Sequence, residues 1–356
     1  MSRRARGVIG AVITLLLLWW VLRDVSPAEV FEELRRANAW WMLLAVALAT
    51  LSFVLRAMRW RVLLEPGHDG SSFEARFGAT CAGFAANNIF PARLGELVRA
   101  YTLSRVGRLP FGISVGSLVV ERVLDGLVLV SFLVVPIMMP GFPLGATEAA
   151  AFVRRVAVVG SIVFASGFVV LWLMARRPEG SLRLWTATLG RLVPDRVAER
   201  LTGLVETFLH GLGSLARVGV LARAVGWSYV VWGCLAASMW TGLLSFGITG
   251  PGFVGAAFLQ AVIGFAVAVP STPGFFGVFE AGARVGLQPW DVPDTLVVGF
   301  ATSYHILTFV PVTLLGLWYL RHFGLRWSEV RQRTESLDED ASLPSVGAGR
   351  GGVEVP

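Results

Sequence analysis

The chain has 356 residues and no lysine, since all 31 of its basic residues are arginines. A P-loop and a Schiff-base centre both need a lysine amine, so these two kinds of chemistry are excluded. Charged residues make up only 15% of the chain, against roughly 25% in a typical soluble domain. Hydrophobic residues make up 55%, so the surface cannot all face water, and the composition predicts an integral membrane protein.

Cysteine and histidine are also scarce, with two and four residues. Cys81 and Cys234 fall in apolar segments, and neither C-x-x-C nor H-E-x-x-H spacing occurs. We therefore expect small buried thiols, no metal and no cofactor. The net charge of +7 would favour nucleic acid in a soluble protein, but these arginines cluster in short loops between apolar segments, where they set membrane orientation. No nucleic-acid partner is expected.

Apolar runs near the roughly 20 residues that cross a bilayer predict six spanning helices. These runs cover residues 7–22, 39–64, 111–139, 151–175, 220–246 and 295–320. Two more apolar segments, 73–107 and 252–288, are rich in glycine and interrupted by proline near their middle. Interrupted segments in corresponding halves of a chain point to a transporter binding site. The fold class predicted is an all-α polytopic membrane protein with two re-entrant helical hairpins.

The distribution of arginines predicts a multi-pass protein of the cell membrane whose two termini are both in the cytoplasm. Arginines flank the runs on one side, whereas the loops at 136–150 and 247–252 contain none. Arg154 and Arg155, near the outer end of the fourth run, are the exception. For this topology to close, the segment 73–107 must enter and leave from the cytoplasm, and the segment 252–288 from outside. The two hairpins then have opposite orientation and resemble an inverted repeat.

The sequence also predicts the domain boundary and the character of the segments outside the apolar runs. Residues 1–322 form one membrane domain, and the polar tail at 323–356 is expected to be disordered. Apolar residues recur at helical spacing over about 194–217, which predicts a cytoplasmic amphipathic helix on the membrane interface. A helix that binds a partner protein is the alternative. The mixed stretch at 23–38 is predicted to be a loop.

The stretch NNIFPARLGELVRAY, residues 87–101, places a proline in the middle of the first hairpin. Pro91 cannot continue a helix but suits the first position of a new one, and the far hairpin repeats the design with P-x-x-x-G spacing at 273–277. A helix N-terminus at membrane depth favours an anion. The residues predicted to form or cap these two N-termini are Asn87, Asn88, Pro91, Thr272, Pro273 and Gly274.

Charged residues follow the central proline within each interrupted segment, and others interrupt the third apolar run. A charge at the centre of a lipid-exposed helix costs roughly 2.5–3.5 kcal/mol, so these side chains should face each other or a wet cavity. Arg93 and Arg99 are the expected cationic partners of a phosphate. The alternative is that the charges only neutralise one another. The remaining charged residues, expected to orient these arginines or to receive a cationic headgroup, are Glu96, Glu121, Arg122, Asp125 and Glu280.

Four motifs together resemble a known family. The runs RAMRWRVLL, NNIFPARLGELVRAY, VVERVLDGL and PSTPGFFGVFEAG are similar to the transmembrane flippase-like domain of lysylphosphatidylglycerol synthases, and the resemblance covers roughly residues 8–322. It implies movement of a lipid between leaflets. The longest hydrophilic stretches, 176–219 and the tail, fall short of the roughly 100–150 residues of a usual catalytic domain, so the aminoacyltransferase half is expected to be absent.

The sequence thus predicts a translocase for an anionic or zwitterionic phospholipid or a polyprenyl-phosphate-linked lipid. A secondary transporter of small organic anions fits the same hairpins. No nucleophile–base pair is visible, so a transporter is favoured over an enzyme. A membrane partner of a glycosyltransferase or other lipid-modifying transferase stays open, as does a homo-oligomer.

Overall fold

The computed structural model of the chain describes residues 27–64, 70–89, 94–143, 145, 148–189, 195–268 and 273–325. The regular secondary structure in these ranges is helical. Two short 3-10 turns, Pro273–Phe275 and Gln288–Trp290, accompany the α-helices. The α-helices are α1 (Pro27–Arg36), α2 (Ala39–Leu64), α3 (Phe73–Ile89), α4 (Gly95–Val106), α5 (Phe111–Met138), α6 (Glu148–Arg176), α7 (Pro178–Leu189), α8 (Asp195–Gly211), α9 (Gly213–Ala216), α10 (Val218–Ser245), α11 (Gly252–Ala266), α12 (Val278–Leu287) and α13 (Asp294–His322).

Four of the described helices, α2, α6, α10 and α13, are long and apolar enough to cross a bilayer. Helix α5 has 28 residues and carries three charged residues near its middle. Five of the six predicted apolar runs coincide with these five helices, and the predicted first span, 7–22, lies outside the described residues. The chain is an all-α membrane protein.

Local sequence signals set several helix starts. Prolines begin α1 and α7, where the missing N–H costs nothing, and Pro110 and Pro293 immediately precede α5 and α13. Helix α2 begins after Asn38, whose side-chain oxygen accepts hydrogen bonds from the backbone N–H groups of Trp40 and Trp41 at 3.0 and 3.3 Å. This is the side-chain cap that satisfies a helix's free N–H groups.

Helices α3 and α4 form a first hairpin that is too short to cross a bilayer. They have 17 and 12 residues, or about 26 and 18 Å at 1.5 Å per residue, against about 30 Å of hydrocarbon. Gly83 of α3 packs against both Gly95 and Arg99 of α4, and Asn87 packs against Gly95. The helices therefore run antiparallel, with their tip between Ile89 and Leu94.

Helices α11 and α12 form a second hairpin of the same kind. They have 15 and 10 residues, or about 22 and 15 Å. Gly282 packs against Ile263, and Gly286 against Leu259, so these helices are also antiparallel. Their tip contains the 3-10 turn at Pro273–Phe275.

The two hairpins open at opposite ends of α13. At the far end of α13, His322 Nε2 lies 3.1 Å from Glu74 Oε1, at the start of the first hairpin. The second hairpin ends at Trp290, four residues before α13 begins at Asp294. Because the 29 residues of α13 span about 43 Å, the hairpin openings lie on opposite faces of the helix bundle. This opposite orientation was predicted from the sequence.

The hairpin tips both reach the middle of α13. Asn88 Nδ2 donates to Thr313 Oγ1 at 2.7 Å, and the rings of Phe276 and Phe309 lie 5.8 Å apart. The turn at Pro273–Phe275 also contacts α3. Pro311 lies inside α13 between these contacts and removes one of its backbone hydrogen bonds. The two tips therefore converge beside an interrupted stretch of a spanning helix.

Two stretches between the apolar runs, which the sequence did not indicate as helices, are helical. Residues 27–36 and 178–189 are helices α1 and α7, not loops. The amphipathic segment predicted at 194–217 is α8 followed by the single turn α9, and α8 packs on α5. Gly211 and Gly116 allow this packing, since a Cβ added at Gly116 would lie 2.6 Å from the Phe208 carbonyl oxygen. The apolar face of α8 is thus covered in part by the protein itself.

Candidate functional site

Seven charged side chains from three helices meet inside the bundle, and we call them the arginine–carboxylate cluster. Four are arginines and three are acids, so the cluster carries one excess positive charge. Most of its members are buried. Its members are Arg56 and Arg59 of α2, Glu96 and Arg99 of α4, and Glu121, Arg122 and Asp125 of α5.

Glu121 holds α4 and α2 against α5. The Nη1 and Nη2 atoms of Arg99 donate to its two carboxylate oxygens at 2.5 and 3.0 Å, a bidentate pair of the strongest kind. The guanidinium of Arg99 also lies 4.1 Å from the centre of the Trp60 ring. Arg59 Nη2 lies 3.1 Å from Glu121 Oε1. Arg99, predicted to bind a phosphate, is therefore occupied by a carboxylate.

Asp125 connects α5 to α2 and α10. Its carboxylate accepts a hydrogen bond from Arg59 Nη1 and one from Trp232 Nε1 at 2.8 Å. Arg59 Nη1 also donates to Ser228 Oγ at 3.0 Å. As the sequence spacing predicts, Glu121 and Asp125 both face into the cluster, one turn apart on α5.

Arg56 is the least satisfied member of the cluster. Its side chain is buried, with the residue only 4% exposed, and its Nη1 lies 3.6 Å from Asp125 Oδ2. Its guanidinium lies 5.3 and 5.4 Å from the ring centres of Phe84 and Trp232. Within the described residues, Nε and Nη1 of Arg56 have no hydrogen-bond partner. A buried donor without a partner costs about 1–3 kcal/mol, so the site has donors to spare for an acceptor.

Arg122 and Glu96 form the open side of the cluster. Their side chains are 40% and 34% exposed, and Arg122 Nη1 lies 3.5 Å from Glu96 Oε1. Arg122 Nη2 also contacts Asp125 Oδ2 at 3.1 Å. At the helical spacing of 3.6 residues per turn, Arg122 shares one face of α5 with Gly126 and Leu133. Along α5, the exposed end of the cluster is therefore continued by buried apolar residues.

The helix of the first hairpin tip begins at a glycine, and the predicted start at Pro91 lies outside the described residues. Helix α4 starts at Gly95, four residues later, and its first N–H donates to Asn87 Oδ1 at 2.8 Å. A Cβ added at Gly95 would lie 2.1 Å from the carbonyl oxygen of Gly83, so only glycine allows the two helices to approach so closely. Asn88 binds Thr313 and does not cap this helix.

The second tip repeats this arrangement with different chemistry, which corrects the predicted start at Pro273. Pro273 begins the 3-10 turn, and α12 starts at Val278 after Gly277. The N–H of Gly277 donates to Glu280 Oε2 at 2.6 Å. Gly274 and Gly277 have φ angles of 71° and 82°, which glycine adopts readily. The N–H groups of Gly95 and Gly277 are therefore both bonded to side chains of the protein.

His305 joins the second tip to α13, and the sequence did not single it out. Its Nδ1 lies 2.9 Å from Glu280 Oε1, and both side chains are buried. The ring of His305 stacks on Phe279 at 4.3 Å and lies 4.7 Å from Phe276. Glu280 thus binds the hairpin backbone through one oxygen and α13 through the other.

The sequence also missed Arg56 and Arg59, which were interpreted only as loop arginines that set orientation. A signal for their role exists, because they lie three residues apart on one helix, well inside the apolar run 39–64. Like Glu121 and Asp125, which are four residues apart, they lie about one helical turn apart, and they carry the opposite charge. Three predicted site residues, Pro91, Arg93 and Thr272, lie outside the described residues.

Comparison with known proteins identifies the family. Residues 7–316 match the family described as "Lysylphosphatidylglycerol synthase TM region". The chain belongs to this family. The match includes both hairpins and every member of the arginine–carboxylate cluster, and it confirms the resemblance inferred from the four motifs.

Relatives fall into two kinds. The chain is 28% identical over 309 residues to the glycosyltransferase AglD of Haloferax volcanii, covering 80% of this chain and 49% of the relative. This chain therefore spans about half the length of that protein. It is 23% identical over 336 residues to a UPF0104 membrane protein of Methanothermobacter thermautotrophicus, covering 91% of this chain and 97% of the relative. A UPF0104 membrane protein of Pyrococcus horikoshii is 24% identical, with 87% and 93% covered.

Proposed function

We propose that this protein moves a phospholipid or a polyprenyl-phosphate-linked lipid between the leaflets of the cell membrane. The phosphate contacts the open side of the arginine–carboxylate cluster at Arg122, which is partly exposed. The buried Arg56, which has unused donors, is a second proposed contact deeper in the cluster. Arginine suits this role because its planar fork matches the geometry of a phosphate. Arg93, three residues before Glu96 in the sequence, is a further proposed cationic partner.

The observation that carries the proposal is the face of α5 that contains Arg122, Gly126, Leu129 and Leu133. It changes from charged to apolar within 11 residues, or about 17 Å. Phe164 packs on Gly126, and Gly264 lies against Leu129. A ligand bound along this face, between α5 and the helices that cover it, would meet charge at one end and apolar side chains at the other, as a lipid does. A small organic anion has no apolar chain that would contact the apolar half of this face.

The geometry changes the proposed place of the phosphate. The sequence favoured the gap between the two hairpin N-termini. However, the N–H groups of Gly95 and Gly277 are bonded to side chains, and Glu96 and Glu280 occupy the first turns of α4 and α12. Acidic side chains in a first turn already compensate the helix dipole. Arg122 and the unused donors of Arg56 therefore replace the helix ends as the proposed contact.

The proposal is tested by reconstitution in liposomes that carry a fluorescent phospholipid in one leaflet. We expect the wild-type protein to move the lipid, and Arg122→Gln and Arg93→Gln to lower the rate about tenfold or more, since a hydrogen bond to a charged group contributes about 1.5–3 kcal/mol. Arg105→Gln, at an exposed arginine of α4, is the control. Uptake of a soluble organic anion without lipid movement would replace this proposal with the small-anion transporter.

The proposed orientation has its own test. In a background without Cys81 and Cys234, single cysteines at Gly145 and Gly250 should react with an impermeant reagent in intact cells. A cysteine at Ser181 should react only after permeabilisation, because it lies on the arginine-rich side. Labelling of Ser181→Cys in intact cells would reverse the proposed topology.

A further inference from the structure

An apolar groove of about 720 Å³ separates α6 from the second hairpin. Its walls come from α6, α11 and α12, with Leu133 of α5 at its base. Arg155 is the one charged residue among the described residues that line it. The apolar lining includes Phe152, Val156, Val159, Val163, Phe265 and Val285.

The groove exists because α6 packs loosely against the rest of the bundle. Of the apolar window of α6, only 11% is buried within the protein, the lowest share among the four apolar spanning helices. Side chains on the groove and beside it, such as Val159 and Val158, are both 59% exposed. In a membrane protein such a surface faces lipid chains, so the groove opens sideways into the bilayer.

The length of the groove matches one leaflet. Its lining residues on α6 extend from Phe152 to Phe164, which is about 18 Å along the helix axis. This is a little more than half of the about 30 Å of hydrocarbon in a bilayer. The groove therefore offers one acyl chain a continuous apolar wall through the depth of one leaflet.

Arg155 stands at the end of this wall nearest the start of α6. It is exposed, and it has no hydrogen bond or ion pair with any described residue. Its neighbour Arg154 donates to the carbonyl oxygen of Gly145 at 2.8 Å. The two residues are also the exception to the arginine asymmetry, because they lie on the face where the loops have none. A structural contact explains Arg154, but none explains Arg155.

We propose that this groove binds one acyl chain of an anionic glycerophospholipid whose phosphate is held by Arg155. The inference rests on the proposed function, to which it adds a lateral portal in the leaflet opposite the arginine-rich side. Charge complementarity selects the occupant, because a lone arginine beside an apolar wall fits a phosphate attached to a hydrocarbon chain.

The test is native mass spectrometry of the purified full-length protein with added phosphatidylglycerol or phosphatidylcholine. We expect Arg155→Gln to weaken retention of phosphatidylglycerol about tenfold, from the loss of a charge-assisted hydrogen bond, and to leave phosphatidylcholine nearly unchanged. Arg154→Gln should retain both lipids as the wild type does.

A second pair of variants tests the apolar wall. Val159→Trp fills the groove and should lower retention of both lipids, whereas Val158→Trp is equally exposed but does not line the groove, and should have no effect. If Arg155→Gln and Val159→Trp both retain phosphatidylglycerol at the wild-type level, the inference is overturned. A wild-type dimer that Val159→Trp dissociates would also overturn it, since a second copy would then occupy the groove.

These measurements separate the portal from translocation. Lipid retention that depends on Arg155, in a protein that moves no lipid between leaflets, would leave the groove site standing and remove the proposed function. Lipid retention that does not change in Arg155→Gln, in a protein that does move lipid between leaflets, would remove the groove site and leave the proposed function standing.

Discussion

The two hairpins share a design and differ in chemistry. In each, a proline is followed four residues later by a glycine whose N–H is bonded to a nearby side chain. This glycine begins α4 in the first hairpin and immediately precedes α12 in the second. The first hairpin contributes two of the seven charged side chains of the arginine–carboxylate cluster. The second hairpin lines an apolar groove and contributes Glu280 to one buried Glu280–His305 pair. We therefore expect the region of the first hairpin to bind the lipid headgroup and the region of the second to bind the acyl chain.

The largest expected effect comes from removing a charge at the first hairpin. Glu121→Gln leaves Arg99, Arg59 and Arg122 without their shared carboxylate, and breaking a buried ion pair in this way costs about 3–5 kcal/mol. We expect a marked fall in the thermal unfolding temperature of the purified protein. Glu148→Gln, at the exposed start of α6, is the matched control.

The double variant Arg99→Met/Glu121→Met separates packing from function, because it removes one charge of each sign and keeps the net charge of the cluster. It should be more stable than Glu121→Gln, since a buried pair replaced by apolar groups costs little. If Glu121→Gln unfolds at the wild-type temperature, the cluster does not hold α2, α4 and α5 together.

A smaller effect is expected at the second hairpin. Glu280→Gln weakens the bonds to the Gly277 N–H and to His305, and hydrogen bonds to a charged group contribute about 1.5–3 kcal/mol. We expect a moderate loss of thermal stability and slower lipid transport, with the arginine–carboxylate cluster unaffected. A destabilisation as large as that of Glu121→Gln would remove the contrast between the hairpins.

The smallest of these effects concerns the glycine that begins α4. Gly95→Ala places a methyl group against the backbone of Gly83, and overpacking of this kind costs about 1–3 kcal/mol. Gly233→Ala in α10 meets no atom within 4 Å and should match the wild type. The two variants are compared by thermal unfolding, and equal stability would show that the hairpin can relax around a methyl group.

The spanning helices could be predicted from the sequence because long apolar runs have few alternatives in a membrane. The hairpins could be placed for the same reason, by proline and glycine inside apolar segments. Their helix starts could not, because proline at position N1 is a local preference, whereas the observed start at Gly95 depends on contact with Gly83 of another helix.

The charged site was predicted in part. The cost of a charge in lipid correctly pointed to Glu121, Arg99 and Asp125 as residues that face one another. Arg56 and Arg59 belong to the cluster because α2 lies beside α5, and the residue pattern along one helix does not show which helices are neighbours. The contact of His305 with Glu280 was not predicted for a related reason, because the two residues are 25 positions apart in the sequence.

The central claim is that headgroup and acyl chain are handled by different regions. Its most direct test is the rate of lipid movement in liposomes for lipids that differ only in headgroup charge or only in chain length, measured for Arg122→Gln and Val159→Trp. The account predicts that Arg122→Gln changes the dependence on headgroup and that Val159→Trp changes the dependence on chain length. Equal slowing of all lipids by both variants, or the reverse pattern, would contradict it.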